Sequence, residues 1–153
     1  MMDHSLLMGI SHTAFNCADI EKSLHFYRDL LGFKFKFDTR IPEDVPEDSR
    51  FYALRGRASL TYLQGPDGSY LELFTETPER AGKDPDDNRV GYAHMSIRVS
   101  DIRAAAEQLK AEGVHFDSEI SFGGPDHTYK VWIRDPDGNR IELMEYTPES
   151  LQL

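Results

Sequence analysis

The segment GISHTAFNCADIEKSLHFYRDLLGFKF, residues 9–35, recurs in altered form as GYAHMSIRVSDIRAAAEQLKAEGVHF, residues 91–116. Gly9, His12, Asp19 and Ile20 fall on Gly91, His94, Asp101 and Ile102 at an offset of 82, and Gly32 falls on Gly113 at 81. Farther on, GPDGSYLELFT (65–75) matches DPDGNRIELME (135–145) without a gap at an offset of 70, which pairs Glu72 with Glu142. A repeat of this kind means that each copy is one supersecondary unit, so it governs the reading of the whole chain. Each copy opens on a histidine and closes on a glutamate. The fall in offset from 81 to 70 leaves about a dozen extra residues in the first copy, and the polar DTRIPEDVPEDS after Phe37 reads as an inserted loop.

Within the first copy, Ile10–Cys17 has the length and bounds of a strand, and Asp19 stands as an N-cap. Ile20, Leu24, Tyr27 and Leu31 follow at helical spacing, with Gly32 at the position that ends a helix. Phe33–Asp38, Phe51–Arg55, Ala58–Gln64 and Ser69–Thr75 read as strands, some of them one strand interrupted, with Pro-Asp-Gly as a tight turn. The second copy predicts a strand over Tyr92–Val99 and a helix from Asp101 to about Glu112 with Ile102, Ala105 and Leu109 inward. Strands at Val114–Phe116, Thr128–Arg134 and Arg140–Tyr146 complete it. The expected fold class is α+β, two βαβββ modules over about 8–76 and 90–147, joined by a charged, Pro-bearing linker over about 77–89 into one domain, 7–147.

Strand alternation places His12 on one face with Ala14 and Asn16, and His94 on one face with Ser96 and Arg98. The opposite face holds Thr13, Phe15, Cys17, Met95, Ile97 and Val99 and suits packing under the helices. Glu72 lies between Leu71 and Leu73, and Glu142 between Ile141 and Leu143, so each carboxylate points away from an apolar face. A carboxylate in such a place is costly unless it is paired, solvated or bound to a cation. Packing of the halves about a pseudo-twofold axis would gather His12, Glu72, His94 and Glu142 as ligands of one divalent ion. Nickel, cobalt and zinc come first, then iron and manganese. The duplicated residues could instead be remnants engaged in capping or core hydrogen bonds, but an inward glutamate repeated on two sheets needs compensation. His127, in GGPDHTYK, is a substrate-contact candidate, with a solvated loop residue as the plainer alternative. His4, His25 and His115 lack the duplicated setting, and Cys17 reads as a small buried hydrophobe.

The formal net charge of −10 disfavours nucleic acid and anionic membranes as partners. A single cysteine, no secretory leader and no long apolar run fit a reducing cytoplasm.

The segments HTAFNCADIEKSLHFYRDLLGF, GYAHMSIRVSDI and DPDGNRIELMEY, with DGSYLELF, resemble the vicinal oxygen chelate superfamily and in particular its glyoxalase I-like proteins. The resemblance implies a curved, half-open sheet around a metal, often in a homodimer. It implies isomerisation of a hemithioacetal, or a similar substrate with vicinal oxygens, through a metal-stabilised enediolate. The partner would be a small molecule, a glutathione or other thiol adduct. Glu142 is the preferred proton-transferring base, with Glu72 as its pseudo-symmetric counterpart and the reverse assignment open. Two departures bear on substrate. Asn16 stands where such proteins generally carry an arginine for a glutathione carboxylate, and Glu76 where they often carry asparagine. Arg98 and Arg140 offer other anchors for an anion, Arg140 being equally suited to a structural ion pair. The same resemblance leaves room for an extradiol-type dioxygenase using His12, His94 and Glu142, an epimerase, a thiol transferase, or a protein that only sequesters a small ligand.

Overall fold

The computed structural model describes residues 9–75 and 91–153. His4, Glu76 and the expected linker lie outside the described residues. The chain divides into two compact units, Met1–Ala81 and Gly82–Leu153.

The first unit runs β1 (His12–Cys17), α1 (Ile20–Leu24), β2 (Lys34–Arg40), β3 (Ala58–Gln64) and β4 (Tyr70–Thr75). Its sheet has the order β1-β4-β3-β2, with β1 parallel to β4 and the other pairs antiparallel. The second unit runs β5 (Met95–Arg98), α2 (Ile102–Ala111), β6 (Ser121–Gly123), β7 (Thr128–Arg134) and β8 (Arg140–Tyr146), in the order β5-β8-β7-β6 with the same pattern of directions. Both are βαβββ modules, and the fold is α+β.

The caps act as the spacing predicts. Asp19 Oδ1 accepts from the backbone N–H groups of Glu21 and Lys22, and Asp101 Oδ1 from those of Arg103 and Ala104 at 3.0 and 2.9 Å. Glu145 Oε2 on β8 takes the N–H of Ile102 at 2.8 Å and ties α2 to the sheet it covers. Because Asp101 satisfies two otherwise orphaned donors, Asp101→Ala is expected to cost about 1 kcal/mol, read as a lowered urea midpoint with unchanged slope.

The first helix departs from the expected path. After Leu24 it continues as a π-helix over His25–Leu30, closed by Leu31 N–H donating to the Phe26 carbonyl at 3.0 Å. The wider turn rotates the residues that follow it, so Phe26 and Tyr27 are buried while Leu31 is only half-buried; before it, Ser23 is buried and Leu24 half-buried. Tyr27 becomes the centre of an aromatic cluster, with Phe15, Phe26 and Phe33 at ring-centroid distances of 5.7, 5.0 and 6.4 Å. In α2 the buried residues are Ile102, Ala106 and Leu109, with Ala105 half-buried rather than inward as expected.

Three strand expectations are corrected. Phe51–Arg55 forms a 3₁₀ turn over Tyr52–Leu54, since Ser49 turns the chain and local bonds such as Leu54 N–H to the Phe51 carbonyl replace ladder bonds. The strand expected at Val114–Phe116 is a single bridge from Phe116 to Ile133. Beyond it the Asp117 carboxylate is held by Arg134, Ser118 Oγ accepts from the Trp132 N–H, and regular pairing with β7 resumes only at β6. The strand expected from Tyr92 begins at Met95, where pairing with β8 starts, so His94 precedes it by one residue.

The inserted loop is closed at its base. Ile41 N–H donates to the Arg57 carbonyl at 3.0 Å, Gly56 N–H to the Ile41 carbonyl at 2.9 Å, and the Ile41 side chain is buried. The two Pro-Asp-Gly turns place Gly68 and Gly138 at φ 88° and 81°, a backbone region that costs other residues energy. In the second turn Asp135 accepts from the N–H groups of Asp137 and Asn139, which fixes where β8 begins. Cys17 is buried, as expected.

Candidate metal centre

The two sheets repeat one arrangement. Across the parallel pair β1 and β4, Ala14 faces Glu72; across β5 and β8, Ser96 faces Glu142. In each case the histidine lies two residues before the residue opposite the glutamate, on the same side of the sheet. His12 Nε2 stands 3.3 Å from Glu72 Oε2, and His94 Nε2 stands 3.7 Å from Glu142 Oε2. The glutamate side chains are only 12% and 10% exposed, while their histidines are 35% and 37% exposed. Leu71, Leu73, Ile141 and Leu143 are buried on the opposite side, so burial of alternate residues aims both carboxylates at the front face.

An aromatic residue closes each pair from the neighbouring strand. Tyr62 lies opposite Glu72 and meets the His12 ring edge-on at 5.6 Å; Trp132 lies opposite Glu142 and meets the His94 ring edge-on at 4.8 Å. These partners escaped the sequence reading in the first unit, although the alternation of β3 places Tyr62 beside Glu72. Burial, followed by its hydrogen bond to Glu72, pushes the Tyr62 phenol above its ordinary pKa. Ser11 Oγ lies 3.2 Å from His12 Nδ1 and can orient the imidazole from behind.

The donor chemistry fits a borderline divalent cation: imidazole nitrogen and carboxylate oxygen, with no lysine or arginine paired to either carboxylate among the described residues. No group of three or more His, Cys, Asp or Glu that could hold a metal ion occurs among the described residues. Each unit presents one His–Glu pair.

The other candidates are placed as follows. Asn16 is exposed near the end of β1, opposite Phe74. Arg98 is exposed on the front face of the second sheet, its guanidinium 5.2 Å from the Tyr146 ring centroid. Arg140 stacks on Trp132 at 4.3 Å and lies 3.8 Å from Asp117, which also binds Arg134 at 2.7 Å and His115 at 3.0 Å. That cluster gives Arg140 the character of a structural ion pair. His127 is exposed at φ 54°, and its carbonyl accepts from Thr147 Oγ1 and Ser150 Oγ. His25 pairs with Asp29 on the outside of the helix.

The front faces bearing the two pairs, carried on the two βαβββ modules, define a superfamily rather than a reaction. Residues 9–143 match the Glyoxalase/Bleomycin resistance protein/Dioxygenase superfamily, and the chain belongs to it. It is 30% identical to proteins named lactoylglutathione lyase from Haemophilus influenzae (90% of this chain, 93% of that one) and Pseudomonas putida (90% and 85%). Among solved structures it is similar to a glyoxalase/dioxygenase from Nostoc punctiforme, with a TM-score of 0.75 at 22% identity over 96% of this chain and 97% of that one. A fosfomycin resistance protein from Listeria monocytogenes shares the fold at a TM-score of 0.64 and 14% identity, covering 94% and 98%. No helix among the described residues is long and apolar enough to cross a membrane.

Proposed function

We propose that the chain is a metal-dependent isomerase of the glyoxalase I kind, with His12, Glu72, His94 and Glu142 holding one divalent ion. The two modules would work as a single domain, within one chain or across a homodimer in the cytoplasm. The observation that carries the reading is the repeated register: the same His–Glu pair, at the same step of the same parallel ladder, in both units. Two carboxylates and a divalent cation are neutral together, which relieves the burial of both glutamates.

When bound, the ion would supply Lewis acidity toward two adjacent substrate oxygens and so acidify the C–H bond on one of the carbons that carry them. The residues of the chain do the rest. His12 and His94 orient the site, and the aromatic faces of Tyr62 and Trp132 limit the water around it. Glu142 takes the proton from one carbon and returns it to its neighbour, so no proton is gained or lost overall and no oxidant is needed. Glu142 is taken as this base, and Glu72 is its counterpart at the same step of the first module. Asn16 in place of an anion-binding arginine favours a thiol adduct other than that of glutathione, or poor use of glutathione.

The test is elemental analysis of the purified protein, then assay with methylglyoxal and glutathione after loading with nickel, cobalt or zinc. About one metal per paired set with turnover is the expected result. Metal without turnover would point to a different thiol adduct or to another reaction of the superfamily, and failure to bind any metal would leave a ligand-sequestering protein.

A further inference from the structure

The front face of the second sheet is ordered in rows, because residues opposed across the ladders share a side. One row is Ser96, Glu142 and Trp132; the next is Arg98, Met144 and Lys130. Arg98 is exposed and, among the described residues, has the Tyr146 ring as its partner and no carboxylate. Lys130 is half-buried and forms no ion pair among the described residues; its charge helps hold Asp126 below the ordinary carboxylate range, after the larger effect of the Thr128 hydroxyl. In a chain of net charge −10, Arg98 and Lys130 flank Met144 on one face of the sheet, and neither forms an ion pair with a carboxylate among the described residues, although Lys130 lies close enough to the Gly124–Asp126 turn to act on Asp126.

We propose that Arg98 and Lys130 form an anion subsite, and that the substrate carries a carboxylate a few bonds from its reacting carbon. The inference rests on Glu142 belonging to the reactive centre. Met144 is two residues beyond Glu142 on β8, a step of about 6.6 Å along a strand. An arginine or lysine side chain spans that distance easily. The strand amides of this row are committed to the ladders, so it offers no backbone cradle for a phosphate; an arginine fork with a single lysine matches a carboxylate. The Tyr146 ring backs the guanidinium, 5.2 Å from its centroid, and Met144 supplies an adaptable apolar floor. On the first sheet, the corresponding row is Asn16, Phe74 and Leu60, which carries no charge. Acid recognition is thereby assigned to one module only.

Two titrations of the full-length protein test this. With nickel loaded, 2-hydroxyglutarate is compared with 2-hydroxyvalerate, which has the same vicinal oxygens and a methyl group in place of the distal carboxylate. The wild-type protein is expected to favour the dicarboxylate about tenfold, as one charge-assisted contact would give. Arg98→Gln should reduce the preference to near unity, Lys130→Gln should weaken it, and Arg98→Lys should restore part of it, with unchanged circular dichroism in each. Without metal, glutarate is followed by NMR and should bind weakly to wild type and more weakly to Arg98→Gln. Equal affinity for both hydroxy acids, or a preference untouched by Arg98→Gln, overturns the subsite. Failure to retain nickel while Arg98 still governs glutarate binding would sink the metal reading and leave the subsite standing.

Discussion

Replacing Glu142 by alanine is expected to empty the metal centre, with metal content falling from about one ion per site to under about a tenth and turnover disappearing with it. Glu142 is one of the two carboxylates that would neutralise the ion, and its removal leaves His94 without its carboxylate partner on that face. His12→Ala should act in the same direction from the other module. Glu142→Gln separates holding from proton transfer. The amide keeps an oxygen for the ion but cannot take up a proton, so a fall in kcat of about 10² to 10⁴ with part of the metal retained marks Glu142 as the base. If Glu72→Gln shows that pattern and Glu142→Gln does not, the roles are reversed. Metal content unchanged in both His12→Ala and Glu142→Ala would sink the four-ligand set.

The second large effect lies away from the site. Tyr27 is fully buried and packs against Phe15, Phe26 and Phe33, so Tyr27→Ala should destabilise the protein by about 3–5 kcal/mol. Phe15 belongs to β1, so loss of this packing loosens the strand that presents His12. Denaturant unfolding should therefore show a much earlier midpoint, and metal affinity should fall although no ligand has been touched. Tyr27→Phe keeps the ring and should recover most of the loss; a variant as weak as Tyr27→Ala would instead place the stability in the phenol oxygen.

The repeat was legible because two physical signals coincide in it: a strand-length segment with one polar face, and a cap followed by helical spacing. Thr128–Arg134 and Arg140–Tyr146 match their expected bounds because alternation there runs unbroken between turn residues. Legibility failed where local bonds compete with ladder bonds. Phe51, Tyr52 and Leu54 look like a strand, yet Ser49 turns the chain and a 3₁₀ segment follows. Phe116 has the side chain of a strand residue, but the Ser118 hydroxyl takes the Trp132 N–H in place of the next ladder bond and the pairing stops after one bridge. The π-helical turn left no periodic trace because it shifts the register by less than a full turn. At the site, the choice of His12, Glu72, His94 and Glu142 followed from the repeat and from alternation along its strands, whereas the second role of Arg140, on Trp132 and Asp117, depends on neighbours distant in sequence.

In each module the histidine and glutamate come from the first and last strands, which lie side by side in parallel. In the first module 60 positions separate the pair, from His12 to Glu72, and in the second 48 separate them, from His94 to Glu142. Closing so long a stretch of chain is entropically unfavourable, and nothing local rewards it until the intervening hairpin is in place. A nascent or truncated module therefore cannot present a His–Glu pair at all. If one ion is held by both pairs as proposed, its acquisition would act as a check on completed folding, drawing the beginning and the end of each module together and stabilising the finished chain over any fragment.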